Sequence, residues 1–241
     1  MLASTTLLAL GAAALAAGPI PEDSRQLVLS VATSWDSTRA QVRRYERDLP
    51  AAPWRGVGAP RNASLGRSGL AWGTGLHTKV QGGPVKKEGD GRAPAGVFFL
   101  RDATGYEAVA PLGNRLPYRQ ATATLRCVDD PRSAHYNRLV DEAQTKKDWT
   151  SAEDMRRPDS QYRLVVWVGH NDDPPQPGLG SCIFLHFREA SSSVTAGCTA
   201  FDPGVMEELM AWLDPKAKPV LVQLPRAQRR SLQSVWGLPP E

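Results

Sequence analysis

A histidine and a cysteine stand twelve positions apart in the stretch FLHFREASSSVTAGCTAFD, which covers residues 184–202. A thiol attacks a carbonyl only as a thiolate, and at neutral pH only a few per cent of free thiols are ionised. A nearby imidazole accepts the thiol proton, so His186 and Cys198 have the types needed for a base and a nucleophile. A buried, inert cysteine beside a core histidine is the alternative that the same residues allow.

The residues around Cys198 give reasons for the two side chains to meet. The segment between His186 and Cys198 is long enough to fold back on the strand that carries the histidine. Gly197 permits an unusual backbone angle just before the nucleophile. A helix that starts at Asp202 and Pro203 brings a positive dipole end toward the sulfur. We therefore expect a thiolate that the imidazole and the helix both stabilise.

The first residues predict an exported protein. Residues 2–17 form an uncharged apolar run of signal-peptide length, so residues 1–18 are predicted to be a signal peptide. No Lys or Arg precedes the run, which leaves a buried N-terminal helix as the alternative. We expect the mature protein in the periplasm, or outside the cell at the cell wall. No later run is long and apolar enough for stable membrane insertion.

The cysteine count bears on the role of the thiol. The chain has three cysteines, Cys127, Cys182 and Cys198. In an oxidising compartment they form at most one disulfide within the chain and leave one thiol over. A thiol left over in an exported protein either pairs between chains or serves a chemical purpose. The odd number therefore favours a reactive role for one cysteine.

Composition predicts one mainly β domain over residues 19–225, followed by a C-terminal tail over residues 226–241. The 20 prolines, 21 glycines and seven tryptophans favour short strands and many turns, with a few peripheral helices. The net charge of +4 is mild and Lys and Arg are scattered, so nothing favours nucleic-acid binding. The histidines and carboxylates show no zinc spacing, so no metal is expected.

Short patterns predict the strands and helices. Strands are predicted at residues 26–33, 162–171, 181–187 and 219–225. The charged residues 36–48 predict a short helix or a hairpin edge, and residues 151–157 predict a short helix behind an N-cap serine. A further helix is predicted to start at Asp202. Its buried stripe is predicted to consist of Val205, Leu209, Trp212 and Leu213.

The spacing of His186 and the turn Thr195-Ala196-Gly197-Cys198 resembles the motif of the YkuD-type L,D-transpeptidases, cysteine enzymes that act on peptidoglycan stem peptides. The segment VKKEGDGRAPAGVFFL, residues 85–100, looks like a part of that family that leads into a strand. The similarity runs from about Gly66 to Leu224, which is most of the mature chain.

The resemblance implies a fold and a reaction. The fold would be a β-sandwich of mixed sheets with peripheral helices, active as a monomer without a cofactor. Cys198 would attack the carbonyl that joins an L-centre to a terminal D-amino acid, expel that residue and form a thioester. His186 would act as base and then as acid, with its ring oriented by a backbone carbonyl. The backbone amides of Gly197 and Cys198 would stabilise the oxyanion.

Two departures from the family pattern leave the outcome of the reaction open. Phe187 stands where better-studied members have Gly after the His, and Ala200 stands where they have an Arg two residues after the Cys. That Arg is implied in orienting the donor stem. An amine acceptor would give a cross-link, whereas water would make the protein an L,D-carboxypeptidase. A non-catalytic cell-wall-binding module on the same fold is a further alternative.

Other residues are predicted to surround this centre. Cys127 and Cys182 adjoin it and are expected to form a disulfide, with two buried free thiols as the alternative. Substrate contacts are expected from Thr195, Asp129, Asp130, His170 and Asn171. A solvated turn at the two aspartates and a surface position for the histidine are the alternatives.

Overall fold

The computed structural model describes residues 18–50 and 52–241, so the predicted signal peptide, apart from Gly18, lies outside the described residues. The strands are β1 (Gln26–Ala32), β2 (Arg39–Glu46), β3 (Arg55–Ser64), β4 (Leu70–Trp72), β5 (Ala93–Gly105), β6 (Tyr118–Gln120), β7 (Leu125–Val128), β8 (Leu139–Asp141), β9 (Ala152–Asp154), β10 (Leu164–Val168), β11 (Phe184–Phe187), β12 (Thr199–Phe201) and β13 (Val220–Pro225). The helices are α1 (Pro203–Trp212) and α2 (Arg226–Leu232), with a 3-10 turn at Pro215–Ala217. None of the described helices has the length and apolar character needed to span a bilayer.

Eight strands of a ten-stranded sheet form a ring that closes on itself, and the other two, β4 and β6, pair with β5. The order around the ring is β10-β11-β12-β3-β2-β1-β13-β5, and a further pairing of β5 with β10 joins the two ends. The pairings of β1 with β13 and of β11 with β12 are parallel, whereas the other neighbours along the ring are antiparallel. Opposite walls of the ring face each other across a core, as the layers of a sandwich do. The predicted fold class, mainly β with mixed pairing and peripheral helices, is confirmed.

The inside of the closed sheet is a hydrophobic core. Side chains alternate along each strand, so Leu164 and Val166 of β10 belong to this core while Val165 packs on the opposite, outer face. The same core contains Phe98, Leu185, Phe201 and, from α1, Met206, Leu209 and Met210. The two faces of β10, β11 and β12 therefore have different neighbours.

Helix α1 begins at Pro203, as the sequence predicts, but the Asp202 side chain does not cap it. The Asp202 carboxylate accepts hydrogen bonds from Nε and Nη2 of Arg188 instead, at 2.6 and 2.5 Å. In the predicted stripe the buried members are Leu209 and Leu213, and the partly buried members are Val205 and Trp212. The helix is thus anchored through its apolar side and through an ion pair at its start.

The charged residues 36–48 contain a hairpin strand and not a helix, but the predicted edge position is wrong, because β2 is paired with β1 on one side and with β3 on the other. Strand β2 pairs with β1 in antiparallel fashion. Its Ala40 and Val42 are buried, whereas Gln41 and Arg43 are exposed. The burial therefore repeats every two residues, which is the period of a strand.

The C-terminal residues 226–241 are not the tail that the sequence predicts. They begin with α2, and Trp236 and Leu238 are buried in a second core on the outer face of β1, β13 and β5. The centroid of the Trp236 ring lies 5.6 Å from that of His77 and 6.3 Å from that of Trp72. The prediction was wrong because Trp236 and Leu238 are too few to form a repeating apolar pattern that the sequence would reveal.

A small three-stranded sheet, β8-β7-β9, covers the outer face of β10 and β11. We call residues 121–157, which contain this sheet, the lobe. Leu125 and Met155 of the lobe pack with Val165 and Phe184 in a third apolar cluster. The lobe therefore encloses the face of the main sheet that the inner core leaves uncovered.

The predicted helix at residues 151–157 is wrong, because Ala152–Asp154 form strand β9. β9 pairs with β7 so that Glu153 lies opposite Cys127 and Asp154 lies opposite Arg126. Arg126 and Asp154 form an ion pair at 3.1 Å on the outside of the lobe. Glu153 points the other way, toward the main sheet. The long-range pairing with β7 overrides the local helix signal.

We expect Trp236→Ala to lower the free energy of unfolding by about 3–5 kcal/mol, because it removes a buried indole from the second core. Urea denaturation measures the change. The neighbouring Val235 is 65% exposed, so Val235→Ala is the matched control and should change stability by less than about 0.5 kcal/mol. Equal midpoints for the two variants would contradict the place given to the C-terminal segment.

Candidate active site

His186 and Cys198 lie on the same face of neighbouring strands. β11 and β12 pair in parallel with His186 opposite Ala200, and Cys198 comes two residues before Ala200. Side chains two apart along a strand share a face, so Cys198 and His186 are diagonal neighbours on the outer face of the closed sheet. Both are buried under the lobe, with exposed fractions of 6% for Cys198 and 3% for His186.

The Cys198 thiol is bonded to the backbone of its neighbours and not to the imidazole. The sulfur accepts the Phe184 N–H at 3.3 Å, and the S–H donates to the Cys182 carbonyl oxygen at 3.6 Å. Burial raises the pKa of the thiol well above its ordinary value, and nearby Glu153 raises it further. The thiol is therefore neutral in this state, and the expected thiolate–imidazolium pair is not formed.

A backbone carbonyl fixes the orientation of His186. Its Nδ1 lies 2.7 Å from the Phe187 carbonyl oxygen, and because a carbonyl only accepts, Nδ1 carries the proton. Nε2 is then the unprotonated nitrogen, and it has no hydrogen-bond partner among the described residues. Burial lowers the pKa of His186 to about 4, which keeps the ring neutral near pH 7. The imidazole is therefore available as a base through Nε2.

Thr195 holds the turn that presents Cys198. Its Oγ1 donates to the Cys198 carbonyl oxygen at 2.6 Å and accepts the Gly197 N–H at 3.2 Å. Its backbone N–H donates to the Leu65 carbonyl oxygen, and its carbonyl accepts the Arg67 N–H. The hydroxyl is used within the turn, so the structure gives Thr195 a positioning task where the sequence predicts a substrate contact.

Gly197 allows a close approach to a neighbouring backbone and does not adopt a left-handed conformation. Its φ lies outside the positive region, contrary to the expectation from the sequence. A Cβ at this position would lie 3.1 Å from the Arg92 carbonyl oxygen and 3.4 Å from Cδ1 of Ile183. The Gly197 N–H is engaged with Thr195, so a role as oxyanion donor requires that 3.2 Å bond to be released.

Helix α1 packs on the inner face of the sheet, whereas Cys198 belongs to the cluster on the outer face. Strand β12 separates Cys198 from Asp202, and three extended residues span about 10 Å. The influence of a helix dipole is confined to the first turn. The expected stabilisation of a thiolate by this helix is therefore wrong.

Tyr162 and Glu153 border the nucleophile and were not predicted from the sequence. The Tyr162 ring makes edge-to-face contacts with His186 at 5.2 Å and with Phe184 at 5.5 Å, between ring centroids. The Tyr162 hydroxyl donates to Oε2 of Glu153 at 2.5 Å. Burial, followed by the nearby Cys198 and Glu153, raises the pKa of this hydroxyl well above its ordinary value. Because residues 151–157 were predicted to be a helix, the sequence did not indicate the direction of the Glu153 side chain. Tyr162 stands just before a strand, and a tyrosine at such a position carries no distinctive signal of function.

A disulfide joins Cys127 to Cys182, with the Cα atoms 6.0 Å apart. Cys127 lies on β7 of the lobe, and Cys182 lies just before β11. The Cys182 carbonyl is also the acceptor for the Cys198 thiol. The bridge therefore ties the lobe to the backbone that contacts the nucleophile, and it leaves Cys198 as the free cysteine.

The two aspartates after β7 have different surroundings. Asp130 is buried and accepts hydrogen bonds from Arg132 and Thr150, which lower the pKa of its carboxyl well below the usual range. It braces the lobe, contrary to the predicted substrate contact. Asp129 lies near Glu153, and its Oδ1 is buried without a hydrogen-bond partner among the described residues. Of the two, Asp129 is the one that lies near the site.

His170 and Asn171 brace a loop and do not border the nucleophile. His170 is buried, with Nδ1 accepting the Thr74 N–H at 3.2 Å and Nε2 donating to the Leu179 carbonyl oxygen at 3.0 Å. The Asn171 side chain exchanges two hydrogen bonds with the backbone of Gln176. Both the predicted cleft position and the surface alternative for His170 are therefore wrong, because the backbone uses both ring nitrogens.

The chemical groups brought together here are a thiol, an imidazole, a phenol and a carboxylate. Within residues 18–50 and 52–241, no group of three or more His, Cys, Asp or Glu side chains is arranged to hold a metal ion. A thiol and an imidazole with a defined tautomer therefore share this surface with a hydrogen-bonded phenol and carboxylate, and groups of these kinds are able to act as nucleophile, base and acid.

Comparison with known proteins gives one match. The family model YkuD, described as the L,D-transpeptidase catalytic domain, matches residues 36–222, which is well over half of the chain. This chain belongs to the YkuD L,D-transpeptidase family. The match starts well before Gly66, where the similarity was expected to begin. No curated protein and no solved structure matches the chain significantly.

The two departures from the usual YkuD pattern have different effects on the site. Phe187 supplies the carbonyl that holds His186, while its side chain is buried in the inner core. Ala200 lies opposite His186 in the register and is fully buried. This YkuD domain therefore keeps the orientation of its histidine but has no cationic side chain at the position of the usual Arg.

We expect iodoacetamide at pH 8 to alkylate the folded protein at least about tenfold more slowly than the urea-unfolded chain, because burial disfavours the Cys198 thiolate. Mass spectrometry under non-reducing conditions follows the labelling. Cys198→Ala is the control and should take up no label in either state, since the other two cysteines form a disulfide. Rapid labelling of the folded protein at pH 6 would show a resting thiolate instead.

Proposed function

We propose that this protein is an exported cysteine L,D-transpeptidase that acts on peptidoglycan stem peptides through a thioester on Cys198. Membership of the YkuD family gives the general type of enzyme. The observation that carries the proposal is the placement of Cys198 and His186 on one face of neighbouring strands, with the histidine tautomer set by Phe187. A nucleophile and an available base therefore share one enclosed surface.

The first half-reaction uses these two side chains. The thiol proton passes to Nε2 of His186 while the sulfur attacks the carbonyl carbon that joins the L-centre to the terminal D-amino acid. The C–N bond then breaks, the proton moves from Nε2 to the leaving amine, and the acyl group stays on the sulfur as a thioester. Proton transfer that accompanies attack suits this site, because its burial disfavours a free thiolate.

Two acceptors lead to two products. An amine of a second stem peptide gives a cross-link, whereas water releases the shortened stem and makes the enzyme an L,D-carboxypeptidase. With either acceptor, Nε2 of His186 takes a proton from the nucleophile and returns it to the departing sulfur. The backbone N–H of Cys198 is proposed as a donor to the oxyanion in both half-reactions.

A second candidate is a non-catalytic cell-wall-binding module on the same fold. Two observations favour it: the lobe covers the Cys198 sulfur, and Ala200 provides no cation for a stem carboxylate. Such a module would bind stem peptides and leave them intact. It would also retain the thiol in its neutral, backbone-bonded form.

Incubation of the mature protein, residues 19–241, with a tetrapeptide stem distinguishes the two candidates. We expect release of the terminal D-amino acid and an acyl adduct on the protein. Cys198→Ala should abolish both, and His186→Gln should slow the release at least about 100-fold because the general base is lost. Chiral amino-acid analysis and intact-mass spectrometry are the measurements.

The lobe residue His135 provides the matched control for the histidine substitution. Its ring contacts Trp149 and lies outside the proposed catalytic pair. His135→Gln should therefore release the D-amino acid at the wild-type rate. Stem binding by the wild-type protein without any release would overturn the enzyme and support the binding module.

A further inference from the structure

Glu153 is a carboxylate held beside the nucleophile, and the chemistry described above does not use it. Its position is fixed from two sides. Strand β9 places it opposite Cys127, which the disulfide connects to Cys182 in front of β11. Tyr162 donates to its Oε2 at 2.5 Å, while Oε1 receives no hydrogen bond from the described residues. The side chain is half-buried, so one oxygen is held and the other is left for a new partner.

The cations nearest to this carboxylate already have partners. Arg157, which lies close to Glu153, forms an ion pair with Asp159. Lys86, which affects the Cys198 thiol, forms an ion pair with Asp90 at 2.6 Å. Arg157 therefore shares its charge between Asp159 and Glu153, and Lys86 is paired with Asp90.

The remaining charged groups that face Glu153 are acidic. Burial, together with Asp129 and Glu88, raises the pKa of Glu153 to about 7, against the lowering effect of Tyr162 and Arg157. Glu88 is held in place by hydrogen bonds from the hydroxyls of Tyr136 and Ser181. A positively charged group that reached this side of Cys198 would therefore be attracted by the carboxyl groups of Glu153, Asp129 and Glu88.

The second half-reaction, in which an amine attacks the thioester, requires an anionic group that accepts a proton. A primary amine has a pKa of about 10 and arrives as an ammonium, which has no lone pair for attack. It must lose one proton before it attacks and a second as the amide forms. His186 has a pKa of about 4 and is a poor acceptor for the first of these protons. The Glu153 carboxylate, whose pKa is raised by burial, is the better acceptor of the two.

We propose that Glu153 receives the primary ammonium of the acyl acceptor and takes its first proton, with Tyr162 holding the carboxylate in position. This inference rests on the proposed transpeptidase function and names its acceptor class, a cationic primary amine. It assigns Glu153 to aminolysis of the thioester and not to formation of the thioester.

The proton and electron balance of this step is closed. One ammonium proton passes to Oε1 of Glu153, and the freed lone pair attacks the thioester carbonyl carbon. The C–S bond breaks and its electron pair returns to the sulfur of Cys198. The second proton passes through Nε2 of His186 to that sulfur, and the third hydrogen stays on the new amide. Solvent then removes the proton from Oε1.

The substitution Glu153→Gln tests the assignment, because glutamine keeps the shape and still accepts the Tyr162 hydrogen bond but carries no charge. The acceptor probe is Nα-acetyl-lysine amide, whose one amine is the ε-ammonium, and water is the competing neutral acceptor. We expect first-turnover release of the D-amino acid to persist and to be no slower than in wild type, because loss of the Glu153 charge removes one cause of the raised pKa of the Cys198 thiol. The ratio of aminolysis to hydrolysis should fall at least about tenfold.

Two further variants separate charge from structure. Asp154→Asn changes the next residue of the same strand, which faces outward to Arg126, and should leave the ratio unchanged. Tyr162→Phe keeps the ring against His186 and removes the hydroxyl that holds Glu153, so the ratio should fall by a smaller factor. Thermal unfolding of each variant reports whether the lobe remains folded. If Glu153→Gln does not fold, the aminolysis ratio of Tyr162→Phe serves as the test.

The pH dependence of aminolysis is a further test, because a residue with a purely structural role would not change its shape. Glu153 accepts a proton only when it is ionised, so wild-type aminolysis should show an additional loss as the pH falls through about 7. Glu153→Gln should lack this step, while the effect of pH on the free amine remains in both proteins. Identical profiles for the two proteins would contradict the assignment.

The outcomes separate this inference from the function on which it rests. A wild-type protein that releases no D-amino acid overturns both. Normal release together with an unchanged aminolysis ratio in Glu153→Gln overturns the inference alone. Loss of first-turnover release in a folded Glu153→Gln protein also overturns it, because Glu153 would then act in forming the thioester.

Discussion

The parallel pairing of β11 with β12 is the constraint on which the site depends. Its register sets His186 opposite Ala200 and therefore Cys198 diagonal to His186 on one face. A slip of one residue would turn the Cys198 side chain to the opposite face, into the inner core. The Thr195 hydroxyl and the close approach of Gly197 to the Arg92 carbonyl fix the turn that feeds β12, so they protect this register.

The lobe gives this face its electrostatic character. It excludes water from both reactive groups, and burial shifts their pKa values in opposite directions, upward for the Cys198 thiol and downward for the His186 ring. Both shifts favour the neutral pair over the ion pair. In the proposed reaction, the thiol proton therefore moves to His186 only as the sulfur forms its bond to the substrate carbonyl carbon. Hydrogen-bond donors that meet the developing oxyanion lower the barrier at that point.

Local patterns predicted the parts of the molecule that local forces determine. The strand around residues 162–171, the helix start at Pro203 and the spacing of His186 and Cys198 each have a signal within a few residues. Features set by distant pairing had none. Glu153 reaches the site because β9 pairs with β7, and the Phe187 carbonyl that orients His186 could have been any carbonyl until the fold was known. Trp236 is likewise buried by contacts with residues far away in the chain.

The closure of the sheet also governs the time at which the protein is able to fold. β1 pairs directly with β13, with Leu27 opposite Val220, so almost the whole chain must be synthesised before the ring is complete. Folds dominated by such distant contacts form slowly, because the entropy of closing a long loop is lost before the contacts compensate for it. The last strand to leave the ribosome, β13, is therefore the one that joins β1 to β5 and completes the ring.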